Sequence, residues 1–204
     1  MADSLEQILV KLGRDGCQGT AKDFAAWASF ATGQTIADAG PTLQLLIGQG
    51  IFKSHPDIEG EFILSGPIEV KERQEYLVSG NLRESPIQMV RSRLESYLRF
   101  HGGNEDFVMD VSIATTEAME NAVKYSDHSP ISIRYSIENH VFHITITNRL
   151  SEVRLEKDIE AGKYTSTTTL MRGMMVMVKL FDEMDIEIKE EEKIAVFSAQ
   201  KKLT

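Results

Sequence analysis

The run Thr116-Glu117-Ala118-Met119-Glu120-Asn121-Ala122-Val123-Lys124-Tyr125-Ser126 holds a glutamate and an asparagine four positions apart. On a helix that spacing makes Glu117 and Asn121 neighbours on one face, with Ala114 and Asp110 one and two turns upstream. A carboxylate and an amide projecting side by side can hold a cation and orient a water. The amide oxygen is a hard ligand of the kind Mg²⁺ takes, and the carboxylate one turn away can act as a general base. On spacing alone, a solvated helix face is the better account of the same residues.

The elements around the run set its context. Gly102-Gly103 ends a preceding helix and Asn104 can cap the next, so a helix is expected over Glu105 to Tyr125, with Val108, Val111, Met119 and Ala122 on its buried side. Upstream, Tyr76-Leu77-Val78 reads as a strand. Ser85-Pro86 starts a helix with Ile87, Val90, Leu94, Tyr97 and His101 on one stripe. Downstream, the alternating segments Ile131 to Ile137 and Val141 to Thr147 form a hairpin around Glu138-Asn139-His140. A hydroxyl-rich stretch from Ser151 to Thr169 follows, then a helix over Arg172 to Phe181 and a final hairpin, Asp185 to Lys189 and Lys193 to Ala199. The expected class is α+β, a two-layer sandwich on a mostly antiparallel sheet. Period-two parity puts Asn148 on the face of Phe142, Ile144 and Ile146, where a polar side chain ends a buried row and lines a pocket. An asparagine that simply ends a strand fits the same parity.

The run from Glu117 to Ser126, with the order of elements around it, resembles the N-box of the GHKL superfamily, the histidine-kinase-like ATPases. Within that superfamily, residues 75–204 are similar to the anti-sigma-factor serine kinases. The resemblance implies a Bergerat-type fold binding ATP and Mg²⁺. It also implies that Glu117 activates the nucleophile, that Asn121 ligates Mg²⁺, and that Lys124 reaches phosphate as in the histidine-kinase branch. The family's Asp-x-Gly-x-Gly box lies against Asn148-Arg149-Leu150-Ser151-Glu152, with both glycines replaced. Asn148 then accepts from the adenine amino group through its amide oxygen, without charge. The Gly-x-Gly-Leu box lies against Met171-Arg172-Gly173-Met174, keeping only Gly173, and Arg172 supplies charge where the glycine backbone would meet phosphate. The methionines at 171, 174, 175, 177 and 184 read as adaptable core filling, with partner grooves as their other use.

A polar bridge, Ser65 to Glu75, separates this domain, residues 71–204, from a smaller one over residues 1–70. There, Ser4 to Leu12, Thr20 to Ala31 and Thr42 to Ile47 carry helical periodicity, and Ile51 to Lys53 and Glu61 to Leu64 read as strands, an order suggesting a winged helix. The third helix has no Lys or Arg, and residues 1–70 hold nine acids against four bases. A protein-contact or dimerisation module therefore fits better than a DNA reader.

The chain is 42% hydrophobic and 26% charged with a net charge of −9, which excludes disordered and collagen-like classes and disfavours nucleic acid or anionic membrane as partners. No apolar run approaches a membrane span, residues 1–10 lack secretory order, and the cytosol is the expected address. Cys17 is alone and reads as a structural thiol. His140 and His143 fall on a turn and a strand and make no metal site, and hydrolase elbow and P-loop motifs are absent.

Two functions follow. The first is a partner-switching regulator that binds ATP·Mg²⁺ and phosphorylates a serine on an anti-anti-sigma-like or sigma-like protein. The second is a non-catalytic GHKL scaffold, a pseudokinase acting through protein contacts, whose pocket is filled by its own side chains.

Overall fold

A computed structural model describes residues 3–151 and 170–203. They group into two compact units, one of residues 1–70 with Arg83–Phe100, the other of Lys71–Leu82 with residues 101–204.

The first unit begins with α1 (Leu5–Arg14), started by a capping box in which the Ser4 hydroxyl accepts from the Gln7 N–H and the Gln7 side chain accepts from the Ser4 N–H. Thr20 and Asp23 make the same box for α2 (Ala21–Thr32), which Gly33 closes in the left-handed region at φ 67°. Between these helices lies β1 (Gly19–Thr20), a strand too short for periodicity to reveal. Then come α3 (Gly40–Gly48), β2 (Phe52–Ser54) and β3 (Glu61–Leu64), and the strands form an antiparallel sheet in the order β1-β3-β2. Phe24 stands edge-on to Trp27 and Phe52, with ring centroids 5.3 and 5.6 Å away, at the centre of a core that includes Leu9, Leu43 and Leu46.

The helix α4 (Pro86–Phe100) belongs to this unit. Of its expected stripe, Val90, Leu94 and Tyr97 are buried, Ile87 is half-buried and His101 lies past the helix end, while Ser92 and Arg93 are buried too. The reason is polar. Ser92 Oγ accepts from the Gln18 N–H at 3.2 Å, Arg93 pairs with Asp15 at 3.4 Å, and the Ser85 carbonyl ahead of the helix accepts from the Trp27 indole at 3.2 Å.

The second unit is a five-stranded antiparallel sheet in the order β4-β5-β6-β8-β7, built from β4 (Arg73–Val78), β5 (Ile131–Glu138), β6 (Val141–Arg149), β7 (Glu183–Lys189) and β8 (Ile194–Lys202). The α+β class with antiparallel pairing is thus as expected. Asn139 and His140 both take positive φ, 52° and 61°, the geometry of a two-residue turn that matches strand twist. Asn104 caps α5 (Glu105–Tyr125) by accepting from the Phe107 N–H at 2.8 Å. The buried side of α5 includes all four predicted residues and extends to Ala114, Thr115 and Ala118. A second helix of this unit, α6 (Leu170–Leu180), packs beside it.

Lys201 departs from the solvated face that its position in a terminal strand suggests. Its ammonium donates to the Leu180 carbonyl at the end of α6, 2.6 Å away, and pairs with Asp110 of α5 at 3.3 Å. One cation thereby meets the negative end of one helix and a carboxylate of the other.

Candidate functional site

Between α5, α6 and the sheet lies a cavity of about 300 Å³. Its floor follows from strand register. Asn148 pairs with Ala195, which pairs with Ile188, and Ile146 pairs with Phe197, which pairs with Ile186. Ala118, Asn121, Ala122 and Tyr125 enter from α5, Met174 and Met177 from α6. Asn121, Asn148 and Tyr125 are the lining residues that carry polar side-chain atoms.

Asn148 is 5% exposed and sits on the face of Phe142, Ile144 and Ile146, as parity predicts. Its Nδ2 donates to the Arg149 carbonyl at 3.3 Å. With the amide nitrogen turned to the backbone, the oxygen is the group available as an acceptor.

Glu117 and Asn121 share one face of α5, and α6 meets them at Gly173. A Cβ built on Gly173 would stand 2.8 Å from Glu117 Oε2 and 3.8 Å from Asn121 Nδ2. Glycine is what lets the α6 backbone approach the carboxylate and the amide together. The structure therefore brings Glu117 and Asn121, one turn apart on α5, together with Asn148 and Gly173, which are distant from them in sequence.

A sequence model described as the histidine kinase-like ATPase domain matches residues 82–198. The chain belongs to that family. The matched stretch takes in α4, which packs with the first unit, as well as both helices and most strands of the second. No curated protein matches the chain. Two solved structures are similar to it. One holds the RsbU and RsbW domains of a Mycobacterium tuberculosis protein, with 14% identity over 70% of this chain and a TM-score of 0.49. This chain covers 35% of that one. The other is the SiaB-SiaC complex from Pseudomonas aeruginosa, with 12% identity over 62% of this chain and 88% of that chain, and a TM-score of 0.42.

A further predicted residue of this histidine kinase-like ATPase domain, Lys124, does not line the cavity. Lys124 is exposed, and its ammonium lies 2.9 Å from the Tyr125 hydroxyl, outside the cavity lining. Arg172 is on the first turns of α6, but its side chain, that of Met171 and the hydroxyl-rich residues 152–169 lie outside the described residues. Among the described residues no cluster of His, Cys, Asp and Glu forms a metal site, and no helix is long and apolar enough to cross a membrane.

Several lining residues carry no sequence signal of their own. Met174 and Met177 line the cavity, Met177 as a buried core residue as expected. The alternation Glu183-Met-Asp-Ile186-Glu-Ile188 marks a strand face, yet only the distant pairing of β7 with β8 and β8 with β6 sets Ile186 and Ile188 beside Asn148.

Proposed function

We propose that the chain is a regulatory ATPase-fold module that binds ATP with Mg²⁺ in this cavity and phosphorylates a serine of a protein partner of the anti-anti-sigma or sigma type. The observation that carries the reading is an apolar, base-sized cavity with Asn121 in its wall and a buried amide, Asn148, at its floor, with Glu117 one turn before Asn121 on α5 and held against Gly173. A flat aromatic base is what such walls bury well. The open volume favours this reading over a scaffold whose pocket is filled by its own side chains.

ATP, when bound with Mg²⁺, supplies a transferable γ-phosphoryl group. Asn148 would hold the base through its amide oxygen, and the amide oxygen of Asn121 would take one position on the metal. Glu117 would accept the proton of the attacking serine hydroxyl, so that its oxygen can bond to the γ-phosphorus while the bond from that phosphorus to the β,γ-bridging oxygen breaks and ADP leaves with the electron pair. Gly173 keeps the start of α6 close enough for backbone N–H groups to approach negative charge. In the same reading, residues 1–70 are a winged-helix-like protein-contact module and residues 71–204 the catalytic domain, acting in the cytosol. The β1-β3-β2 sheet behind three helices supports the former.

The experiment is phosphate release from ATP·Mg²⁺ by wild type and Glu117→Ala, with nucleotide binding measured alongside. The reading expects binding in both and turnover in wild type alone. Turnover retained without Glu117 would remove the assigned base.

A further inference from the structure

The five-stranded sheet ends at β7, and among the described residues no strand pairs with its outer side. An edge strand presents a row of N–H and carbonyl groups that point away from the sheet and can bond to an added chain. β7 leaves more than its backbone open. Apart from half-buried Met184 its residues are exposed, and Ile186 and Ile188 are 41 and 50% exposed although they line the cavity on the face that carries α5 and α6.

Strand parity sorts these side chains into two rows. Met184, Ile186 and Ile188 make an apolar row that runs to the rim of the cavity. Glu183, Asp185 and Glu187 make the other row, on the opposite face, where Glu183 and Asp185 edge a polar cleft with Ser198 and Gln200 of β8. Glu183 accepts from the Gln200 amide at 2.5 Å, and among the described residues no cation pairs with Asp185 or Glu187. Residues 182–193 hold seven acids against two bases, Lys189 and Lys193. The other edge strand differs. On β4 the corresponding row mixes Arg73 with Glu75, and Glu75 is already paired with Arg134 at 2.9 Å.

We propose that the β7 edge takes up, as a further strand of the sheet, an extended segment of a protein partner in which Lys or Arg alternates with apolar residues. An added strand draws affinity from main-chain hydrogen bonds and selectivity from its alternate side chains. Here the charge selects. Cations on one face of the segment would meet Asp185 and Glu187, and apolar residues on its other face would lie beside Ile186 and Ile188 at the cavity rim. A second copy pairing through the same edge would set carboxylates against carboxylates. Residues 152–169 of the chain, with four acids against three bases, carry no surplus of cations to offer. The inference rests on the sheet edge and not on the nucleotide reading, so either can fail without the other.

The test is a titration of the full ¹⁵N-labelled chain with a short synthetic peptide of alternating lysine and valine, read by amide shifts and amide hydrogen exchange. Two counterparts accompany it. One carries glutamate for lysine, and one is N-methylated throughout, which keeps the charge and removes the backbone donors. The expected result is saturable binding of the lysine peptide with exchange slowed at amides of β7. Affinity should fall about tenfold or more with either counterpart, and about tenfold for the lysine peptide when Asp185→Lys and Glu187→Lys are combined. Both positions are exposed, thermal melting checks that the variant folds, and the peptide comparison on the wild type stands without it. Failure of the lysine peptide to bind, equal binding of either counterpart, or unchanged affinity in the folded variant would overturn the proposal. So would β7 amides already protected in the free chain and unmoved by peptide, or protection that grows with chain concentration alone.

Discussion

Gly173 touches Glu117 so closely that a Cβ on the glycine would stand 2.8 Å from the carboxylate oxygen. The atom in the way is the far end of a flexible side chain, so Gly173→Ala moves the carboxylate and leaves the fold standing. Stability should change by less than about 1 kcal/mol. Turnover of ATP should fall by about tenfold or more, because a displaced base loses its alignment. Denaturation and phosphate release measured on the same variant separate the two effects.

Gly80 presents the opposite case. A Cβ there would collide with the Ser129 carbonyl and lie 2.8 Å from Ser126 Oγ, and a backbone carbonyl cannot swing aside. The segment it would push follows α5 directly and leads out of Tyr125, which lines the cavity. Gly80→Ala should cost about 1–3 kcal/mol, at the upper end of that range, read as a lowered urea midpoint.

Lys201→Met removes the donor to the Leu180 carbonyl and the partner of Asp110 while keeping most of the side chain's bulk. About 1–2 kcal/mol of stability should be lost. The loss should shrink when Asp110 is already Asn, since the two residues share one interaction. A double-mutant cycle in urea checks this.

Burial pushes the Cys17 thiol up to about 12. The folded protein should therefore react very slowly with a disulfide reagent at pH 8 and quickly once unfolded. The unfolded thiol ionises first, so the unfolded state binds fewer protons over the window from about 9 to 12. Stability should fall as pH rises through that window, and Cys17→Ser should flatten this slope.

Local signals made much of the fold legible. Asn104 and the glycines before it fixed the start of α5, alternation placed Asn148 on the buried face, and the Asn139-His140 turn fixed the middle hairpin. What escaped was non-local. The pairing of β6 with β8 joins segments about fifty residues apart, and only that pairing carries Ile188 to Asn148. The burial of Ser92 and Arg93 was hidden because polar side chains give no apolar stripe; their partners lie in the Asp15–Gln18 loop. The contacts of Lys201 with the end of α6 and with Asp110 were hidden for the same reason. Glu117 and Asn121 were found as a pair by spacing, but the third residue touching them, Gly173, was found by resemblance.

The central claim is that the cavity floored by Asn148 takes an adenine nucleotide. Its most direct test is calorimetric titration of ATP with Mg²⁺ into wild type and Asn148→Leu, with GTP as the comparison base. The account predicts micromolar ATP binding in wild type and a loss of about tenfold or more in the leucine variant, which removes the acceptor and keeps the volume. It also predicts weaker GTP binding, because guanine offers an acceptor where adenine offers a donor. Absence of binding at millimolar ATP, or equal ATP affinity in the variant, would contradict it.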